Sequence, residues 1–417
     1  MRAMSPAATR IVVFGAGKSG TSGLFHCVAQ SAEAHFGRAF ARRFEMSWGR
    51  LSAGFGLWIP YTGLPRYPTP SYATEQDLQK VPDVAPQRYA LLGLHDGNIT
   101  RSTVLAVLNP VIAASLLSDR LQLGFGPQLM LVYFRSALML SSCPQVMCRP
   151  EQVDYDTLVL AQAFALTPSF NVGATYRVLP SLRLGAAFQL PFFIRSAKGT
   201  VDTRLPVNEF FNGATVTGRD ASLALNLPAI LRLGAELRLL KNDRLRLELA
   251  YTYESWSLQQ DITFTPQNIA IENVKGIGTY QLGPIALPRQ MSDTHTVHLG
   301  GELDVFRFLT ARLGGMFETN STPDATVTVL TPDNNKGMIA LGLAVPRLRF
   351  LSAEWRFDLS YGRVIQPDRV VAPGDSKVYP GNPIRPAAQF PPEVGGIGAG
   401  RYQVSYDVIA LGASILR

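Results

Sequence analysis

Near the N-terminus, glycine, lysine and serine residues follow one another as they do in loops that bind phosphate. The run Gly15–Ser19 comes directly after the short apolar segment Ile11–Phe14. A P-loop requires a further glycine at residue 12, because its backbone N–H groups must surround the phosphates. Val12 holds that position, and no alternation of strands and helices follows. We therefore interpret this segment as something other than a working nucleotide site.

Catalysis by a nucleophile and a base requires a histidine or a comparable base beside a reactive side chain. Of the 5 histidines, only His295 and His298 lie on or near a regular sequence pattern, and no serine motif stands beside them. We predict that the protein is not an enzyme and uses no cofactor. A lipase-like protein acting through these histidines is the enzymatic alternative.

The cysteines indicate a disulfide rather than a metal site. Cys143 and Cys148 lie in a short proline-containing loop, where the residues between them are enough to close a small disulfide ring. Such a bond would imply an oxidising compartment, and two free thiols are the alternative. No metal site is predicted, because the spacing does not match zinc ligation and no histidine lies near the pair.

Several stretches of the chain alternate apolar and polar residues at every step. In Arg244–Tyr253 the leucines fall on one face of an extended strand, whereas Arg246 and Glu248 fall on the other. Only a strand, with its period of two, sorts residues in this way. Similar alternation recurs at 182–190, 231–239, 297–305, 311–317 and 355–361. An all-β fold follows, either a soluble sandwich or a membrane barrel.

Composition favours the barrel. Hydrophobic residues make up 47% of the chain and charged residues 17%, whereas charged residues make up about 25% of soluble proteins. No apolar run reaches the roughly 18 to 20 residues that a membrane helix requires. The net charge of +8 is spread along the chain without a basic block, so we expect no nucleic-acid partner.

The predicted connections fall into two classes. Short turns at 118–120, 179–181 and 241–243 alternate with predicted loops at 62–101, 140–168, 195–220, 257–293 and 366–400. Short turns on one rim and long loops on the other are typical of outer-membrane barrels. We predict a transmembrane antiparallel β-barrel of about 12–14 strands. It would occupy residues 46–417, and its first strand would be 46–61.

Several blocks of the sequence resemble the FadL/TodX family of outer-membrane transporters for long-chain fatty acids and other hydrophobic compounds. They include 51–61 (LSAGFGLWIPY), 119–126 (DRLQLGFG), 227–236 (LPAILRLGAE), 298–302 (HLGGE) and 338–343 (MIALGL). Their order and spacing over roughly 46–416 carry the resemblance. It implies a FadL-like barrel in the outer membrane of a Gram-negative bacterium, crossing it many times.

The N-terminal region departs from the family pattern. Residues 1–45 show neither the Asn-Pro-Ala element of the family's internal hatch nor a signal peptide with an apolar core of the usual length. We expect 1–45 to be an atypical segment in place of the signal peptide and hatch, with a misassigned start as an alternative.

A proline interrupts one predicted strand. Asn109, Pro110 and Val111 lie within 102–117, and proline cannot donate a hydrogen bond to a β ladder. We expect a strand kink there. The resemblance implies that hydrophobic ligand leaves through such a kink sideways into the bilayer, and a harmless bulge is the alternative.

Two further sets of residues are candidates for ligand contact. Charged side chains on the predicted lumen face are expected to be mostly structural ion pairs: Arg232, Glu236, Arg238, Arg246, Glu248, His298, Glu302, Asp304, Arg312, Glu318, Glu354, Arg356 and Asp358. Apolar loop residues are candidates for ligand capture, with an interfacial position as the alternative for Phe192 and Phe193: Leu64, Tyr67, Phe192, Phe193, Phe210 and Phe211.

The sequence therefore predicts a monomeric outer-membrane channel that takes up long-chain fatty acids, hydrocarbons or aromatic compounds passively, in contact with outer-membrane lipid. Two other functions stay open. A general porin would pass polar solutes, and a non-transporting barrel would act as an adhesin or a lipase-like enzyme.

Overall fold

The computed structural model of the protein describes residues 11–12, 37–58, 104–141, 155–327, 333–350, 353–378 and 398–416. They form strands and two 3-10 turns, Lys241–Asp243 and Trp256–Leu258. In chain order the strands are β1 (Ile11–Val12), β2 (Gly37–Met46), β3 (Gly49–Trp58), β4 (Val104–Leu116), β5 (Leu121–Ser141), β6 (Asp156–Arg177), β7 (Leu182–Gln189), β8 (Phe192–Arg204), β9 (Thr215–Thr217), β10 (Asp220–Leu227), β11 (Ile230–Leu239), β12 (Leu245–Glu254), β13 (Asp261–Pro266), β14 (Ala270–Val274), β15 (Gly278–Gln281), β16 (Ile285–Pro288), β17 (Thr294–Phe306), β18 (Leu309–Glu318), β19 (Lys336–Phe350), β20 (Ala353–Ile365), β21 (Arg369–Val371), β22 (Gly400–Tyr402) and β23 (Ser405–Leu416).

The long strands form one antiparallel wall. Each pairs with the next in the order β2, β3, β4, β5, β6, β7, β11, β12, β17, β18, β19, β20 and β23. The short strand β1 pairs with β2, and its backbone also lies beside β23. The wall thus returns to its first strand and closes as a barrel, whose strand count agrees with the prediction.

Among the described residues, none belongs to a helix that is both long and apolar enough to cross a membrane.

The two faces of the wall differ in polarity, as the alternating sequence predicts. Side chains on the outer face are exposed and apolar, for example Leu233, Leu249 and Leu299. Residues of the same strands on the lumen face include Glu236 and His298, which are buried. An apolar exterior around a polar lumen is the arrangement that a bilayer selects, because lipid can solvate only apolar side chains.

The connections segregate to two rims. The turns at 47–48, 117–120, 178–181, 240–244 and 307–308 all lie on one rim, which we call the short-turn rim. The longer connections lie on the opposite rim. The predicted segregation is confirmed for the described residues.

Much of what the sequence analysis assigned to loops is strand. β5 and β6 contain 21 and 22 residues, and they occupy about half of the predicted loop at 140–168. The strands β8, β10, β13 and β16 extend the wall beyond one half of the barrel. Breaks such as Leu190–Pro191 separate each extension from its barrel strand. The alternation therefore loses phase at the breaks, which hid the extensions from the sequence analysis.

The extensions enclose an apolar core, here called the upper core. A three-stranded sheet of β9, β14 and β15 packs against it. Its most deeply buried members come from the barrel strands, from the extensions and from the region of β14: Val107, Met130, Val132, Phe192, Ile194, Leu223, Ile269, Ile271 and Val274. The barrel is thus continued, beyond its long-connection rim, by a packed hydrophobic body.

The N-terminal end of the barrel also differs from the expectation. Residues 46–61 were predicted as one strand, but a turn at Ser47–Trp48 separates β2 from β3. The pairing of β2 with β3 places barrel strand from Gly37 onward, rather than from residue 46. Arg42 and Arg43 stand side by side in β2, so the segment lacks the strict alternation that identifies other strands.

Candidate lateral opening between β4 and β5

The ladder between β4 and β5 is interrupted at its centre. Five pairs join Val104–Leu108 to β5, and five more join Ile112–Leu116, but residues 109–111 make no ladder pair with 126–128. We call this interruption the seam. Both blocks share one register, so the seam is not caused by a slip of one strand against the other.

Two prolines cause the seam. By the register of the flanking pairs, Pro110 on β4 lies opposite Pro127 on β5. In an antiparallel ladder, every second pair of residues exchanges two N–H···O bonds. Neither proline has an N–H to donate, so both bonds of this pair are absent. On their other sides, Pro110 pairs with Phe55 and Pro127 with Phe170, and these ladders continue.

Small residues line the lumen side of the seam. Gly54 and Gly56 on β3 lie opposite Val111 and Asn109, and Gly126 lies on the β5 side. Val111 occupies a lumen-facing position and is still 36% exposed. Without side chains on these glycines, the inner surface of the wall is thin where its hydrogen bonds are missing.

The outer side of the seam is apolar. Leu108, Ile112, Phe125 and Leu129 flank the two prolines and are all exposed. The Phe125 ring packs against the Phe170 ring of β6, with 5.9 Å between their centroids. A hydrophobic molecule that crossed the wall here would meet apolar surface on the bilayer side.

A row of carboxamides lies on the lumen side beside the seam. It consists of Asn109 on β4, Gln128 on β5, Asn171 on β6 and Gln189 on β7, and we call it the carboxamide row. By register Asn109 faces Gln128, and Asn171 pairs with Gln189. The side-chain oxygens of Asn109 and Asn171 both approach Gly126, where a Cβ would lie 2.5 and 2.4 Å from them. A glycine at this point therefore allows two carboxamides to approach each other.

Charged lumen residues are concentrated elsewhere. Arg246 Nη2 lies 2.9 Å from Glu302 Oε1, and Arg312 lies 2.6 Å from Glu302 and 2.7 Å from Asp358. Arg356 also contacts Asp358, at 3.1 Å. We call these five residues the ion-pair belt, which crosses β12, β17, β18 and β20. Cross-strand pairing of lumen charges is confirmed for Arg246, Glu302, Arg312 and Asp358, whereas Arg356 pairs with Asp358 along the same strand.

The ion-pair belt lies near the short-turn rim. Arg246 is the second residue of β12 and Arg312 the fourth of β18, and both strands begin at that rim. Glu236 and Arg238 continue the charged surface onto β11, with 2.7 Å between Arg238 Nε and Glu236 Oε1. A hydrophobic ligand moving straight down this side of the lumen would meet buried charges.

The predicted capture residues separate into three groups. Phe192 and Phe211 are buried in the upper core, and the half-buried Phe210 packs against it. Phe193 points the other way, is 44% exposed, and has the Arg195 guanidinium 6.0 Å from its ring centre. Leu64, Tyr67, Cys143 and Cys148 lie outside the described residues, as does most of 1–45.

The two candidate catalytic histidines face opposite sides of β17. His298 is buried in the lumen, whereas His295 is exposed and its Nδ1 lies 2.7 Å from the Tyr251 hydroxyl. They cannot share one catalytic centre. Within the described ranges, no group of three or more His, Cys, Asp or Glu side chains is arranged to hold a metal ion.

Sequence reasoning found Pro110 but missed Pro127 and the carboxamide row. Proline is a local signal, whereas the identity of its partner depends on the register between strands. The row comes from four strands, and its members are ordinary polar residues when each strand is considered alone.

Comparison with known proteins agrees with this architecture. A sequence model described as outer membrane protein transport protein (OMPP1/FadL/TodX) matches residues 90–363. The comparison with curated proteins finds no match.

Solved structures share the fold. A FadL homologue from Pseudomonas aeruginosa has a TM-score of 0.59 at 17% identity, covering 91% of this chain and 78% of its own. The toluene transporter TbuX of Ralstonia pickettii has a TM-score of 0.51 at 15% identity, with 91% and 80% covered. The toluene transporter TodX of Pseudomonas putida has a TM-score of 0.51 at 14% identity, with 91% and 82% covered. The family is one of transport proteins rather than enzymes, and the chain belongs to it: an outer-membrane transport protein of the OMPP1/FadL/TodX family.

Proposed function

We propose that the protein is a channel for passive uptake of long-chain fatty acids or other hydrophobic compounds across a Gram-negative outer membrane. Ligand would leave the lumen sideways through the seam, at Asn109, Pro110 and Val111. The observation that carries the proposal is the pair of facing prolines, which removes both hydrogen bonds from the middle of a barrel wall. A barrel has no free edge at which such a defect is harmless.

The distribution of charge supports sideways exit over passage straight through. Bringing an apolar ligand against the ion-pair belt would strip water from charged groups without replacing their hydrogen bonds. At the seam, the lumen-facing neighbours are glycine, valine and neutral carboxamides. The sideways path therefore avoids the largest desolvation cost.

The upper core supplies a route for ligand from the cell surface. Phe192 and Phe211 belong to the same buried cluster as Val107 and Met130 above the seam, and Phe210 packs against this cluster, so apolar side chains continue from the extensions to the wall. We propose that ligand is captured by this body, joined by Leu64 and Tyr67, and moves along it toward the seam. The names of the related structures include toluene transporters, which favours small aromatic compounds as well as fatty acids. The channel would act as a monomer within outer-membrane lipid.

Restoring the missing hydrogen bonds tests the proposal. Pro110→Ala and Pro127→Ala each return one donor, so a single substitution restores only one of the two bonds. Each bond contributes about 1 kcal/mol. We therefore expect uptake of a radiolabelled hydrophobic compound to fall about fivefold in either single variant and about 30-fold in the double variant. Folded protein in each sample is measured by heat-dependent migration in a gel.

Pro168→Ala is the matched control. Pro168 lies on β6 and pairs with Leu129 of β5 in a ladder that is already complete, so uptake should not change. Unchanged uptake in a correctly folded double variant would refute sideways exit through the seam. Steady ion conductance in a planar bilayer would instead indicate a general porin.

A further inference from the structure

Three members of the carboxamide row are buried and incompletely hydrogen-bonded. Asn109, Gln128 and Gln189 are 9%, 3% and 4% exposed. Asn109 Oδ1, Gln189 Oε1 and both amide atoms of Gln128 find no hydrogen-bond partner among the described residues. Buried polar groups are nearly always paired, because an unpaired one keeps the full cost of leaving water. These exceptions lie together beside the seam, so the described residues leave a group of buried donors and acceptors there open to a polar partner.

The surroundings restrict what that partner can be. Next to the row, the lumen-facing side chains of β4 and β5 are Val107 and Met130, both completely buried. The nearest cation by register is Arg232 on β11, one strand beyond Gln189, and Arg232 interacts electrostatically with Glu254. Among the described residues, a carboxylate at the row would therefore meet no counter-charge that is not already engaged, so their arrangement favours a neutral group over an ion pair.

Carboxamides suit a neutral polar group. Each presents one acceptor oxygen and an NH₂ donor, so a hydroxyl can donate to one member of the row and accept from another. Asn109 and Gln128 face each other across the seam, and Asn171 approaches Asn109 over Gly126. A single hydroxyl placed between them can reach two strands at once.

We propose that the carboxamide row binds the neutral polar group of an otherwise hydrophobic ligand, such as a phenol or an alcohol, as it passes the seam. The proposal rests on sideways passage and adds a substrate class to it. A pure hydrocarbon would pass without using the row. A hydroxylated ligand would exchange its hydration for hydrogen bonds to Asn109, Gln128 or Gln189, which lowers the cost of entering the apolar path.

The test uses toluene and p-cresol, which differ by one hydroxyl group. Cells making wild-type protein, Gln128→Met or Gln189→Met take up both radiolabelled compounds, and toluene is the reference in the same cells. Methionine keeps the length of the glutamine side chain and removes its amide. We expect the ratio of p-cresol to toluene uptake to fall about fivefold in each variant, the loss of roughly one neutral hydrogen bond.

Gln122→Met is the matched control, because Gln122 lies on β5 and its Oε1 accepts a hydrogen bond from Thr175 Oγ1 at 3.2 Å. Its ratio should equal that of the wild type. A ratio that stays constant in both test variants, while toluene is still taken up, overturns the proposal and leaves the proposed function standing. If the variants took up less p-toluate, which is a carboxylate, but took up p-cresol as the wild type does, the proposal would also be overturned, in favour of a carboxylate site. If the wild type took up neither toluene, nor p-cresol, nor a radiolabelled long-chain fatty acid, that result would instead contradict the proposed function.

Discussion

Two arcs of the same barrel are built in opposite ways. The arc from β11 to β20 joins its lumen charges across neighbouring strands, and its β12–β17 and β18–β19 ladders run without a gap. The arc from β3 to β6 has glycines and neutral amides on the lumen side of its seam, where a ladder is missing at its centre. The barrel therefore has its ion-pair belt beside these two continuous ladders, and neutral side chains at the seam, where the wall is thin.

The largest expected effect on stability concerns Arg312, the residue at the centre of the ion-pair belt. Arg312 contacts Glu302 and Asp358 and is 7% exposed. Arg312→Met removes two charge-assisted hydrogen bonds and leaves the half-buried Glu302 and Asp358 carboxylates with one cation each, so we expect the free energy of unfolding to fall by about 3 kcal/mol. Urea titration of protein folded into lipid vesicles measures it.

Arg363→Met serves as the control for Arg312→Met. Arg363 pairs with Asp407 at 2.6 Å, but both side chains are nearly half exposed. Exposed ion pairs contribute little, since water solvates the separated charges well. Equal losses of unfolding free energy in the two variants would show that the ion-pair belt does not stabilise the arc from β11 to β20.

Hydrogen exchange should separate the two arcs directly. Backbone amides that flank the gap in the β4–β5 ladder, such as those of Ile112 and Leu129, should exchange at least about tenfold faster than those of Leu299 and Leu313. In the Pro110→Ala/Pro127→Ala variant, the difference should shrink, because both central hydrogen bonds return. Equal protection of both arcs in the wild type would mean that the seam does not open.

The smallest expected effect concerns Asp333, which lies just before β19 at the rim opposite the short-turn rim. Asp333 accepts hydrogen bonds from Ser321 and lies 2.9 Å from Lys336. Burial alone would raise the pKa of Asp333, but the Lys336 charge and the Ser321 hydrogen bonds outweigh it and lower the pKa below 3.8. The stabilisation that the Asp333 carboxylate provides is therefore complete above its unfolded-state pKa and is lost as pH falls through its lower folded-state pKa.

Limited proteolysis within the connection between β18 and β19 measures this effect of pH. Cleavage by an acid-active protease should increase as pH falls below 3.8 in the wild type. Asp333→Asn should be cleaved more readily at every pH and should lose this part of the pH dependence. A variant with the wild-type pH profile would assign the effect to another group.

The sequence predicts the barrel well, because its main signals are local. Alternation in β12 and β17 fixes which side chains face the lumen, and Asp119 and Asn242 lie in tight turns as their types favour. The sequence also predicts that lumen charges pair across strands, because buried charges must be paired, but that Arg246 pairs with Glu302 is known only from the structure.

Which residues face each other at the seam depends on the register of β4 against β5. The sequence does not distinguish this register from one that is shifted by one residue. If Leu117 paired with Leu121, as the predicted turn would have it, Pro110 would face Gln128. The observed pairing of Leu116 with Leu121 shifts the strands and brings Pro127 opposite Pro110. Because a shift of one residue changes every partner, Pro110 could be found from the sequence and its counterpart could not.

The unequal ladders on the two sides of β5 also bear on how the barrel forms. The β5–β6 hairpin pairs continuously along all 21 residues of β5, about 70 Å of strand, whereas the β4–β5 ladder consists of two blocks of five. Hairpins close from their turns, since each new pair then orders few further residues. Closure of β4 onto β5 from the turn at 117–120 would stop after five pairs, and the second block would have to nucleate separately. The seam is then the last part of this wall to assemble and the first place at which a partly folded chain exposes unpaired backbone to its neighbours.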